Sequence, residues 1–142
     1  MIGLQASLIA GAVGALAGIM AGALAMLGTD LSGGGPRDEA PPMAPLDRRL
    51  AVGAFLLAAH AIAAAAIWQL PTIGACIAAG LGAGWMGAAA AGVVGLFSQP
   101  GPGAGMRVVH VLVRAAIGAA MLAPLWAYMK LMQIQALGTL HT

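Results

Sequence analysis

Charge is what this sequence has least of. Of 142 residues, 7% are charged: four Asp or Glu and six Lys or Arg. A soluble domain carries about 25%. So few charges cannot cover a water-facing surface, which excludes a soluble globular enzyme. They also leave no basic patch, which excludes nucleic acid as a partner. A single cysteine, Cys76, lies in an apolar run and excludes an intrachain disulfide. Its default role is that of a small buried hydrophobe.

Acids are missing from the long apolar stretches altogether. Asp30, Asp38, Glu39 and Asp47 all fall in one short interval, and no Asp or Glu follows. That disfavours coupling through a membrane carboxylate, since proton relays use Asp, Glu and His chains. It also disfavours paired-carboxylate catalysis and oxygen-rich metal sites. The serines, Ser7, Ser32 and Ser98, have no histidine at a useful spacing. No phosphate-cradling loop or metal-ligand spacing occurs. The expectation is a protein without enzymatic activity and without a metal.

What is present is hydrophobic: 61% of the chain, with 22 glycines. A membrane-spanning helix needs about 20 apolar residues. Residues 1–29 carry no ionisable side chain, and residues 50–106 carry no charged side chain, only His60. Pro71 divides that second run, because proline cannot continue an ordinary helix without losing a hydrogen bond. Four spans follow, at about 2–27, 50–70, 72–97 and 106–133. No ten-residue alternation supports a membrane barrel. The expected fold is an all-α integral membrane protein, one transmembrane domain over residues 1–142 with four helices in a bundle. A signal peptide is disfavoured for the first helix, which lacks a basic flank and has too long an apolar stretch.

The segment 28–49 is polar and rich in Gly and Pro: a tether, or a docking segment for a partner. The stretch 98–105 is a second loop, and residues 70–72 form a tight turn. Arg37, Arg48, Arg49, Arg107 and Arg114 lie towards the side of these two loops, against Lys130 on the other. The positive-inside rule then puts both loops in the cytoplasm and both termini outside, with a bacterial inner membrane as the default location. A faint repeat pairs helices one and two with helices three and four, at low residue identity.

Small residues recur every fourth position. Helix one carries Gly14, Gly18 and Gly22; helix three carries Gly80, Gly84, Ala88 and Gly92. Residues four apart share a helical face, and small residues let backbones approach closely in lipid. These stripes predict glycine-zipper packing, within the chain or against another. Helices one and three are also too poor in Leu and Ile to suit lipid on every side. Trp68 and Trp126 fall near span ends, where indoles favour the membrane interface. Trp85 lies mid-span, read as a filler opposite glycines.

Two polar features remain. Arg107, His110 and Arg114 follow one face of helix four. They reach lipid headgroups by snorkelling, bind a protein acid such as Asp47, or line an anion site. His60 lies mid-span among alanines. It is either a neutral histidine bonded to a carbonyl or the axial ligand of a haem or chlorophyll. A haem shared with His110 is disfavoured, since the two differ in depth by roughly 9 Å at 1.5 Å per residue. The leading functional expectation is a small accessory subunit that meets the lipid bilayer and packs into a larger membrane complex or a homo-oligomer. The alternatives are a small channel or carrier transporting a neutral or anionic solute, and a tetrapyrrole-binding subunit through His60.

Overall fold

The computed structural model describes residues 2–27, 45–98 and 104–139. They form four helices: α1 (Ile2–Met26), α2 (Pro45–Gln69), α3 (Pro71–Ser98) and α4 (Ala104–Thr139). Each is long and apolar enough to cross a membrane. The protein is an all-α, four-helix integral membrane bundle. The expected loops at 28–49 and 98–105 lie largely outside the described residues.

Two boundaries differ from expectation. α2 starts at Pro45, five residues before the expected position. Proline suits the first helical position, where its missing N–H would have had no partner. α4 runs to Thr139, well past 133, and contains Pro124. Helices in lipid tolerate an internal proline when neighbouring helices surround it. Pro124 is fully buried, facing Gly11 of α1.

The α2–α3 turn is a single residue. The Leu70 N–H still donates to Ala66 O at 2.8 Å, and Leu70 O accepts from the Gly74 N–H at 2.8 Å. Pro71 then opens α3. So tight a turn makes α2 and α3 antiparallel neighbours. Gly22 against Gly53 and Gly18 against His60 set α1 antiparallel to α2. Ala88 against Arg114 and Gly82 against Gly118 do the same for α3 and α4. The order around the bundle is α1, α2, α3, α4, with α1 also packed on α4.

The core holds Ala15, Ala63, Ile67, Ala78, Ile117 and Met121. Half of these are alanines, so the helices approach closely. In lipid the gain comes from van der Waals contact rather than from leaving water. Each hairpin is closed by a reciprocal glycine pair. A Cβ on Gly22 would lie 2.8 Å from Gly53 O, and one on Gly53 would lie 2.7 Å from Gly22 O. For Gly82 and Gly118 the distance is 2.9 Å both ways. Such approaches suit Cα–H···O contacts, which recur where helices pack.

The outer surface marks a membrane slab. Arg49 and Trp68 on α2, and Arg107 and Trp126 on α4, are each nineteen residues apart. That is about 28 Å along a helix at 1.5 Å per residue. It matches a hydrocarbon core about 30 Å thick. Both indoles are exposed, as interface residues should be. The Lys130 ammonium lies 5.2 Å from the Trp126 ring centroid, a cation–π contact at that boundary.

Candidate functional site

His60 is the polar centre of the bundle. It is 0% exposed, wedged between α1 and α3. A buried polar group in lipid must find partners. His60 has two. Its Nδ1 is 2.7 Å from Leu56 O, and its Nε2 is 2.8 Å from Trp85 Nε1. The indole N–H can only donate. Nε2 is therefore the acceptor, and the proton sits on Nδ1, donated to the carbonyl. The ring is a neutral imidazole with both nitrogens satisfied. The rings of His60 and Trp85 meet edge to face, centroids 5.9 Å apart.

Gly18 makes room for this. A Cβ there would collide with the His60 ring. One turn of the α1 glycine stripe thus serves a specific side chain on α2. Trp85 fills space, as expected, but it is also the partner that fixes the histidine. A tetrapyrrole metal would need the lone pair that Trp85 occupies, and a ring this buried presents no open face. The packing around His60 does not fit such a group.

The two glycine stripes behave differently. Gly14 faces Met121, Gly18 faces His60 and Gly22 faces Gly53, so the α1 stripe packs within the chain. On α3 the stripe splits. Gly92 packs on Val111 of α4, and Ala88 offers its carbonyl to Arg114. Gly80 and Gly84 point outward, with nothing within 4 Å of a Cβ. The inward face of α3 is instead Gly74, Ala75, Ala78, Ala79, Gly82 and Ala89. Sequence reasoning missed it because α3 has small residues all round.

Arg114 bridges α4 and α3. Its Nη1 donates to Ala88 O at 3.4 Å, beside the space that Gly92 leaves by lacking a side chain. The Ala88 carbonyl points along α3 towards Ser98, so the guanidinium leans towards the Arg107 end. One partner of this guanidinium is thus a backbone carbonyl. Arg114→Leu is expected to cost about 1 kcal/mol, the scale of an interhelical hydrogen bond in a bilayer. Arg114→Lys should recover part of it, keeping a donor but losing the planar fork. Unfolding in mixed micelles measures both; a Leu variant as stable as the parent would show that the bond contributes nothing. His110, four residues before Arg114, has a buried Nδ1 without a hydrogen-bond partner.

Among the described residues no cluster of three or more metal-ligating side chains occurs. A hollow of ≈ 280 Å³ opens between α1 and α2, lined by Gln5, Leu8, Ile9, Ile67 and Trp68. It is a surface groove at the Trp68 boundary rather than an enclosed site. No protein-family profile, characterised protein or solved structure matches this chain.

Proposed function

We propose that this chain is a non-catalytic membrane subunit that assembles through the outward face of α3. The partner is a helix of a larger membrane complex or of another copy of this chain. One observation carries the reading: Gly80, Gly84 and Gly87 each have nothing within 4 Å of a Cβ. Ala83, Ala90 and Ala91 are exposed beside them. Lipid gains little from glycine, whereas a second helix gains close contact. The same surface is thus a poor lipid face and a good zipper for a partner.

The filled interior supports this reading over a carrier. His60, Met121 and Pro124 are fully buried between the helices. A solute path through the centre of one chain would have to displace them. Extracted from its own membrane in mild detergent, the chain should run on native mass spectrometry as part of an assembly. A single chain under the gentlest extraction would sink the proposal.

The Arg-bearing end is proposed to face the cytoplasm of a bacterial inner membrane, because five of the six basic residues lie toward that end and only Lys130 toward the other. A Gly34→Cys chain lacking Cys76 should then resist a membrane-impermeant thiol reagent until the cells are lysed. Labelling of intact cells would reverse the orientation.

A further inference from the structure

Histidine is the side chain whose charge ordinarily changes between about pH 5 and 8. Residues 50–106 contain one, His60. The fold places it at the centre of the bundle, 0% exposed, with both ring nitrogens engaged. Nδ1 donates to Leu56 O at 2.7 Å, on the same helix. Nε2 accepts from the Trp85 indole at 2.8 Å, across to α3. This second bond uses the lone pair that an added proton would occupy. It therefore ties α2 to α3 only while His60 is neutral.

The neighbouring elements offer a charged ring nothing. α1 faces it with Gly18 and has no ionisable side chain. α3 has Cys76 alone, nine residues before Trp85. On α4, the register of Gly14 against Met121 sets Gly18 level with Ile117. The nearest charge there is Arg114, a cation, with His110 one turn further and Tyr128 eleven residues the other way. On α2 itself the nearest charge is Arg49, eleven residues away. An acid elsewhere in the chain finds no seat at the ring, which is enclosed and bonded at both nitrogens. Protonation would set the new N–H against the indole N–H, donor against donor. It would also leave a charge without a counter-ion in a low-dielectric interior.

We infer that the pair of His60 and Trp85 is an acid-sensitive latch between α2 and α3. With Nε2 bare the latch is closed, and Gly18 leaves the space in which the ring sits. A proton taken up at Nε2 breaks the bond to Trp85, and the charged ring must leave its enclosed site to be solvated. That displaces α1 and α3, which hold it on either side. The closed bundle holds His60 without the added proton, whereas the unfolded chain takes one up at the ordinary histidine value of about 6.5. Stability is therefore full above that value and falls as pH falls below it. The latch lies within one chain and does not depend on the partner that meets the outward face of α3.

Equilibrium unfolding of the full chain in mixed micelles, between about pH 8 and pH 5, tests the latch; ordinary carboxylates titrate below that range. The parent's unfolding constant should be nearly level at the alkaline end. Below about pH 6.5 it should rise, approaching tenfold per pH unit for one proton. His60→Gln keeps an acceptor for the indole and a donor for the carbonyl but takes up no proton. It should remove most of the rise. His60→Met, a filler without a titrating atom, gives the same comparison where the amide does not fold. His110→Gln, which removes a histidine outside the latch, should leave the rise in place. A parent level down to pH 5, a rise equally steep in the His60 variants, or a rise lost in His110→Gln would overturn the latch.

Discussion

Gly18→Ala is expected to destabilise the bundle by about 2–3 kcal/mol, the upper range for overpacking a tight core. Gly84→Ala, the same change on another zipper position, should stabilise the isolated chain by up to about 1 kcal/mol through helix propensity. The opposite signs follow from what each Cβ meets. At Gly18 it collides with the His60 ring; at Gly84 it meets nothing within 4 Å. His60 cannot retreat, since it is fully buried and held at both nitrogens. Equilibrium unfolding of the monomer in mixed micelles gives both values. Equal effects at the two sites would mean that the inward and outward faces are wrongly assigned.

His60→Ala should be the most damaging single change, at about 3–5 kcal/mol. It removes a buried ring from a close-packed site and strands the Trp85 N–H in a low-dielectric interior. A double-mutant cycle with Trp85→Phe isolates the hydrogen bond from the cavity. The coupling should be about 1 kcal/mol, within the range measured for polar pairs in bilayers. Additive losses would show that the 2.8 Å contact contributes nothing beyond packing.

Helix number and most helix ends were legible in the sequence, because charge, proline and run length are local signals. α2 and α4 departed from them where proline behaves unusually, at the first turn of α2 and inside α4. The α1 stripe was legible because its glycines recur at one spacing and that face turns inward. The α3 stripe left open whether Gly80 and Gly84 face this chain or another, and in the structure both point outward. Gly74, Gly80, Gly82, Gly84, Gly87, Gly92 and Gly95 surround the axis, so no face stands out. Which glycines touch α4 is settled by the one-residue turn at Leu70 and by α4 itself, neither of which leaves a periodic mark on α3. The pair of His60 and Trp85 could not be read at all. They lie 25 residues apart on antiparallel helices, and only their register brings them level.

Arg114 illustrates the same limit from another side. Its depth flagged it as a charge needing a reason. The candidates were acids, headgroups and anions, because those are what sequence displays. One of its partners is a main-chain carbonyl, which every residue carries and no sequence pattern advertises.

The central claim is that the outward α3 face joins this subunit to another helix. Native mass spectrometry of the parent and of Gly84→Leu, each released from its own membrane, tests it most directly. The parent should appear in an assembly, and Gly84→Leu should appear as a single chain at least as stable as the parent monomer. A parent already monomeric, or a Gly84→Leu chain that assembles as fully as the parent, would contradict the account.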